Sequence, residues 1–526
     1  MLRVFQHDLA NPERFVVTLE LVPGNEPAGR SVDTVKGIAR DCFADGRVSA
    51  VSITDNPGGN PSLSPDAFGS EIFKVGMDAI VHFTCRDLNR VGMESRALQL
   101  ARMGMKNLLA LTGDFTGKGF GGQGAPVFDL DSVNLTLMLR LLNDRLARAG
   151  DPDGFFTGCA VSPFKSTQAE CFAQYTKLCR KVTAGAQFAI TQLGYDTRKF
   201  AEVLRILRTM NLSLPVLGTV YILTPKTAAL MNAGRIPGAV VTDELLKIVQ
   251  REWRDPKEGR RRSIERAAKL GAILKGLGYR GIHIGGVHQD FAPAGELLDR
   301  ISNYEAGWKE LCSELDYPQP NGFYAFPEAA AEEASGQQSF SHVPQRISLG
   351  EKWRYRLLKR LHTWFFSAEA HHSGLLQKWA RSIEAHPLLL KLVDALETGT
   401  KKMLLGCKHC GDCGIQHLAF LCPESQCPKR TRNGACGGSL NGYCEVHPDR
   451  RCVWTRAYER FATDGRLLEL HAQCVPPRMW ELDQTSSWLN FHLGRDHHSA
   501  STSLARACQC SDCRNISRQN GSHHYY

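Results

Sequence analysis

FVVTLEL at residues 15–21, VSAVSIT at 48–54 and DAIVHFT at 78–84 are apolar runs of strand length, each followed by a longer stretch of helical period. The pattern continues with NLLALTG (107–113), FFTGCAV (155–161), AQFAITQ (186–192), LPVLGTV (214–220) and RGIHIGG (280–286), which completes eight candidate strands. Helical stretches fall between them at 87–103, 129–148, 169–183, 198–210 and 241–275, the last interrupted by the charged run Arg251–Arg262. Eight βα repeats over roughly 290 residues fit an α/β (β/α)8 barrel in number and length, with a doubly wound sheet as the rival. In a barrel the carboxyl ends of the strands carry the loops where chemistry is done. Glu20, Thr54, His82 to Cys85, Asp114, Gln192 and His288 stand at those ends.

Working outward, the chain has 526 residues, enough for two or three domains. Hydrophobic residues make up 43% and charged residues 22%, which excludes a wholly disordered, collagen-like or coiled-coil chain. The 64 Lys plus Arg exceed the 54 Asp plus Glu by ten, but without a dense basic block, so nucleic acid is not indicated. The longest uncharged run, Thr209–Pro225, holds Asn, Ser, Thr and two prolines. It falls short of the ~20 apolar residues of a membrane span. The start, MLRVFQHDLANPERF, lacks the basic and apolar regions of a secretory signal, so a cytoplasmic protein is expected.

Residues 1–312 are assigned to the barrel. Residues 313–350 turn to Pro, Ala, Glu, Ser and Gln and are expected to form a linker. In WRYRLLKRLHTWFF, Trp353, Leu357, Leu361 and Trp364 recur at helical spacing and are expected to face a core. Residues 351–483 form a Cys-rich, partly helical metal-binding domain, and 484–526 a poorly ordered tail.

Of 18 cysteines, eight crowd into CKHCGDCGIQHLAFLCPESQCPKRTRNGACGGSLNGYCEVHPDRRC: Cys407, Cys410, Cys413, Cys422, Cys427, Cys436, Cys444 and Cys452. In a reducing compartment such a cluster reads as metal ligands rather than disulfides. Eight thiolates make two four-cysteine sites, for zinc or for an iron–sulfur cluster such as [4Fe-4S], and spacing alone does not choose. His409, His417 and His447 are able to substitute for a cysteine but are read first as surface histidines. Cys508, Cys510 and Cys513 form a poorer trio in the tail. Gly119, Gly121 and Gly124 satisfy GxGxxG, but Asp114–Lys118 separate them from the strand and Pro126 follows, so a barrel-top loop is expected instead of a dinucleotide fingerprint.

Glu20 and Asp114 suit proton transfer or recognition of a polar heterocycle, because partial burial raises a carboxyl pKa toward working pH. LEL with Glu20, VSIT with Thr54, VHFTC with His82, ALTGD with Asp114, and RKVTAGAQFAITQ with Lys181 and Gln192 resemble, in order and spacing, methylenetetrahydrofolate reductases. NGACGG, CEVHPDRRCVW and AYERF likewise resemble the Cys-rich domain fused or partnered to such reductases. The resemblance implies noncovalent FAD, with FMN as the alternative, and reduction of 5,10-methylenetetrahydrofolate to 5-methyltetrahydrofolate. It implies Glu20 as general acid, Asp114 at the pterin and the flavin, and Gln192 on folate. Thr54, His82, Gly113, Asp114, Arg180 and Lys181 would hold the flavin. Where the family has Tyr-Pro-Glu and His-Pro after the fifth strand, this chain has GCAVSPFKS, so two flavin contacts are replaced. Leu193 and Gly194 stand where aromatics that bind a nicotinamide are expected, which leaves the donor open between NAD(P)H and a protein such as ferredoxin or another subunit. A homo-oligomer is expected. The rival function is a non-catalytic flavin and iron–sulfur electron-transfer or assembly subunit.

Overall fold

The computed structural model describes residues 4–326, 347–366, 373–464 and 474–498. Eight parallel strands close a barrel: β1 (Val16–Leu21), β2 (Ala50–Ile53), β3 (Ala79–Thr84), β4 (Asn107–Leu111), β5 (Phe156–Val161), β6 (Phe188–Thr191), β7 (Val216–Tyr221) and β8 (Gly281–Gly285). Seven fall inside one of the eight apolar runs and β7 runs one residue past its own, to Tyr221; β1 pairs with β2 and β8 to complete the ring. The expected long helix at 241–275 is two, Asp243–Glu252 and Pro256–Leu277. Asp255 caps the second, and Pro256 fits its first turn, where no amide donor is needed.

The barrel interior grows more polar toward the carboxyl ends. At the amino end, Phe5 of the helix Val4–Ala10 packs edge-on to Phe156 and Phe188 at 5.9 and 5.1 Å, sealed by Val16, Ala50, Ile80 and Leu217. Above this plug Thr18, His283 and Thr219 stand in register, and Thr18 Oγ1 meets His283 Nδ1 at 2.8 Å. Two residues further along the same strands come Glu20, Gly285 and Tyr221, because strand side chains alternate with period two. An apolar plug below and a polar mouth above position the chemistry at one end.

The glycine-rich stretch forms an exposed hairpin, Lys118–Gly119 with Gly122–Gln123, and no helix starts at its third glycine. Three expectations need correction. The first part of the expected linker is a strap on the barrel: Tyr317 and Phe323 amides reach Tyr195 and Ser166 carbonyls at 2.9 Å, and Tyr324 Oη donates to Asp196 at 2.8 Å. Its aromatics supply the apolar area that its Pro, Ala and Glu lack, and residues 327–346 lie outside the described residues. In the helix Leu349–Phe366 the buried residue is Tyr355, whereas Trp353 and Trp364 are 66% and 62% exposed. A single helical stripe does not say which side meets the core. The tail is folded as far as residue 498, with the helix Ser487–His492 and buried Asn490 and His497. Residues 499–526, with Cys508, Cys510 and Cys513, lie outside the described residues. Among the described residues no helix is long and apolar enough to cross a membrane.

Candidate functional site

Glu20 is half-buried at the carboxyl end of β1, and burial pushes its carboxyl up to about 7 with no neighbouring cation to offset it. A Cβ at Gly285 would lie 2.8 Å from the Tyr221 ring and 3.9 Å from Glu20 Oε1, so glycine there leaves room beside the acid. Asp114 is held differently. Its Oδ2 accepts from the Gly58 amide at 3.0 Å, and the Gly117 amide reaches the Gly59 carbonyl at 2.9 Å. The loop after β4 is thereby fastened to the loop after β2. Gly59 permits this approach, since a Cβ there would sit 2.0 Å from the Phe115 carbonyl oxygen.

The other sequence-predicted residues ring the same end of the barrel. Thr54 is buried and its amide extends the β1 ladder to Leu21 at 3.1 Å. His82 is buried with its Nε2 lacking a partner, and burial holds its pKa down to about 4, so the ring is neutral. Gly113 adopts φ +87°. Gln192 is anchored by both ends of its amide, donating to Pro237 at 3.1 Å and accepting from Leu193 at 2.9 Å. Lys181 Nζ donates to Ala160 at 2.6 Å, and burial lowers its pKa to about 8. Arg180 is buried with Nε and one terminal nitrogen unpartnered.

Sequence reasoning missed Ser162, Gln174 and Lys177. Ser162 Oγ and Gln174 Nε2 are buried without partners, as is Thr116 Oγ1. Each such atom costs about 1–3 kcal/mol. Several of them beside buried Lys177 and Arg180 fit a polar, acceptor-rich group such as a flavin nucleotide with its phosphates. The signal was available: Gln174, Lys177 and Lys181 recur three and four residues apart on the helix Gln168–Ala184, one face turned to the barrel mouth.

The Cys-rich domain roofs this region. Lys165 Nζ donates to the Gly437 and Ser439 carbonyls at 2.6 Å each, and Ser166 Oγ to Asn441 at 2.7 Å. Lys177 reaches Gly434 at 3.3 Å, and Lys429 reaches Gly113 at 2.7 Å while pairing with Glu445. Phe172 stacks on Tyr458 at 5.6 Å. The divergent stretch GCAVSPFKS is therefore a docking surface for the second domain.

The eight cysteines fall into two sets. Cys413 is the charged neighbour of Cys407, Cys410 and Cys422, and Cys427, Cys436, Cys444 and Cys452 neighbour one another in the same way, but among the described residues no three of these sulfurs lie within 4.8 Å of one another. The second set lines one small cavity together with Lys429 and Glu445. None of the described cysteines is in a disulfide. His447 is exposed, and His409 Nε2 meets Asp394 at 2.9 Å. His417 is half-buried and packs against His497 and His498.

A closed parallel barrel with a half-buried acid at the mouth of its first strand is a (β/α)8 protein of the class whose chemistry sits at the strand carboxyl ends. The chain belongs to the methylenetetrahydrofolate reductase family: the model described as "Methylenetetrahydrofolate reductase" matches residues 7–295, and "Methylene-tetrahydrofolate reductase C terminal" matches 389–481. It is 28% identical over 200 residues to the "Probable methylenetetrahydrofolate reductase (NADPH)" of Caenorhabditis elegans, covering 37% of this chain and 28% of that protein. It is 27% identical over 175 residues to "Methylenetetrahydrofolate reductase 1" of Schizosaccharomyces pombe, covering 32% and 27%. The matches thus span little more than a quarter of those relatives. A solved Clostridium thermocellum protein, described as binding two copies of 5-methyl-5,6,7,8-tetrahydrofolic acid, matches at 12% identity over 58% of this chain and 99% of that one, with a TM-score of 0.39. That likeness is too slight to carry an argument.

Proposed function

We propose that the chain is a flavin-dependent methylenetetrahydrofolate reductase that converts 5,10-methylenetetrahydrofolate to 5-methyltetrahydrofolate. The observation that carries this reading is Glu20, an acid held near pH 7 at the barrel mouth. A carboxyl that keeps its proton at neutral pH can give it to a substrate nitrogen. Protonating the bridge nitrogen opens the methylene bridge to an iminium, the electrophile that accepts hydride. Thr54, His82, Gly113, Asp114, Arg180 and Lys181 would hold FAD, joined by Gln174 and Lys177, and the unpartnered polar atoms of His82, Arg180 and Gln174 support the assignment. When bound, reduced flavin supplies the hydride. Gln192, with its amide already fixed, presents a set orientation to folate, and Asp114 is held still by Gly58.

Each four-cysteine set holds one metal centre, zinc or a [4Fe-4S] cluster. Iron would make the domain a relay for electrons from a ferredoxin-like donor, and the contact of Lys429 with Gly113 supports a relay ending at the barrel mouth. Zinc has no redox chemistry and would leave the domain structural, with NAD(P)H as donor. The deciding experiment is Glu20→Gln in anaerobically purified full chain. Flavin content should stay as in the wild type, while turnover falls by about 10²–10⁴-fold, the usual worth of general acid catalysis. Wild-type turnover in the variant would remove Glu20 from this role. A yellow wild-type protein that reduces methylenetetrahydrofolate with no donor would instead favour an electron-transfer or assembly subunit.

A further inference from the structure

Residues 415–418 and 496–498 meet behind the first cysteine set and bring three histidines together. His417, His497 and His498 each offer a ring nitrogen, and the three nitrogens lie within 4.8 Å of one another. His417 Nε2 and His497 Nε2 are 3.0 Å apart. His497 turns Nδ1 to Asp412, and His498 turns Nδ1 to Asp496 at 2.9 Å. A carboxylate only accepts, so each of these Nδ1 atoms carries the proton and each Nε2 is an acceptor, that of His497 facing His417 Nε2 and that of His498 facing the Gln416 side-chain nitrogen. Between His417 and His497 the two facing nitrogens repel unless a proton or a cation lies between them. Imidazole with its far nitrogen on a carboxylate is also how histidine ligands of transition metals are oriented. Here that arrangement occurs twice, on adjacent residues.

Other groups face the cluster. Arg432 is paired with Asp412 at 2.8 Å, and Arg180 is a cation acting on His417 from the barrel side. The Gln416 amide bridges His498 and His362, accepting from His362 Nε2 at 2.7 Å. His497 and His498 lie beyond residues 389–481, the extent of the C-terminal family match.

We propose that His417, His497 and His498 form a three-histidine site for a divalent transition cation, zinc by preference, separate from both cysteine sets. Neutral imidazoles suit zinc, copper and nickel, and three of them leave a coordination position for water or an incoming ligand. The site ties the 484–498 segment to the loop between Cys413 and Cys422. It does not depend on the reductase reading.

The test uses the full chain as purified, titrated with zinc, with bound metal counted and the zinc X-ray absorption edge recorded. The wild type should hold one zinc per chain beyond any metal on the two cysteine sets, and its edge should include a nitrogen and oxygen contribution, characteristic of imidazole and water ligands. His417→Ala should lose that equivalent, and Cys410→Ser should keep it. His498→Ala is the second variant, because it leaves the buried Asp412, Arg432 and His497 contacts intact. A folded His498→Ala chain that keeps the wild-type zinc count would overturn the proposal, and so would a wild-type edge showing sulfur ligands alone.

Discussion

The barrel and the cysteine-rich segment hold their functional groups by opposite means. In the barrel, Glu20 and His82 sit on strands whose positions are fixed by a continuous ladder and a sealed apolar core. Between Cys407 and Cys452 the helices are single turns, Ile415–Leu418 and Pro423–Gln426. Of the ten non-glycine residues with positive φ among the described residues, five fall there: His409, Ala419, Phe420, Arg430 and Asn441. Left-handed backbone costs of order 1 kcal/mol or more at each such residue. Something other than a sheet must offset it. The candidates are metal–thiolate bonds and a buried polar web, in which the Arg432 and Asn433 amides donate to Asp131 at 3.0 and 2.8 Å. The barrel is self-supporting, whereas the second domain is shaped by where it docks and, on the proposed reading, by the metal it would bind.

Removing a thiolate breaks that contrast most severely. Cys436→Ser should release the metal of the second set and unfold residues 427–452 while the barrel stays native. Structural metal is worth on the order of 10 kcal/mol in small domains, more than such a segment can replace. Hydrogen exchange with metal analysis reads both halves at once. Slow exchange across 427–452 in metal-free protein would show that packing holds the segment, and the contrast would fail.

Lys429→Met attacks the docking instead. Lys429 and Glu445 are both nearly inaccessible and paired, so losing the lysine strands a buried carboxylate. Breaking one side of a buried pair costs about 3–5 kcal/mol. The second domain should therefore melt earlier than the barrel, resolved as two calorimetric transitions. A single unshifted transition would mean that Lys429 does not couple the two.

The same contrast explains what could be read from sequence. Eight apolar runs gave eight strands because a strand buried on both faces writes its own signal. The cysteine count showed how many thiols crowd together, because that number is a property of composition, but not which of them neighbour each other in the fold. What stayed hidden depends on chain crossings that no local pattern encodes. Lys165 and Ser166 look like defects in a flavin motif until Gly437, Ser439 and Asn441 are seen against them, more than 270 residues away. His417 looked like a surface residue because its partners His497 and His498 lay in a segment read as tail. Trp353 and Trp364 misled in the other sense, since a stripe of apolar residues names a face without naming what covers it.

Glu20→Gln sharpens the barrel side of the comparison, and here a functional loss should come with a gain in stability. The carboxyl pKa is raised from 4.5 to about 7 in the folded protein. Below pH 4 the acid is protonated in both states and costs nothing. As pH rises through 4.5 the unfolded chain ionises first, so folding is progressively penalised until about pH 7, and the full penalty persists above it. At 1.36 kcal/mol per pKa unit the penalty is roughly 3 kcal/mol. The variant should match the wild type at pH 4 and be more stable at pH 8, by chemical denaturation at each pH. Wild-type turnover should fall as pH rises past 7. Equal stabilities at pH 8 would mean that Glu20 ionises freely, which would also remove it as an acid at neutral pH.

The smallest effect tests whether the roof is part of the site beneath it. Gly434 has φ +125°, and a Cβ there would lie 2.9 Å from Lys177 Cβ and 3.0 Å from its Cγ. Those atoms belong to the rigid base of the lysine and cannot swing clear. Gly434→Ala should cost about 1–3 kcal/mol from backbone strain. It should also shift Lys177, whose Nζ lies 3.4 Å from Thr112 Oγ1 and 3.3 Å from the Gly434 carbonyl. If Lys177 helps to hold a flavin phosphate, flavin should dissociate several-fold more readily, measured by fluorescence on dilution. Lost stability with unchanged flavin affinity would make the 433–438 loop a cover alone, and the two regions would then share a boundary without sharing a site.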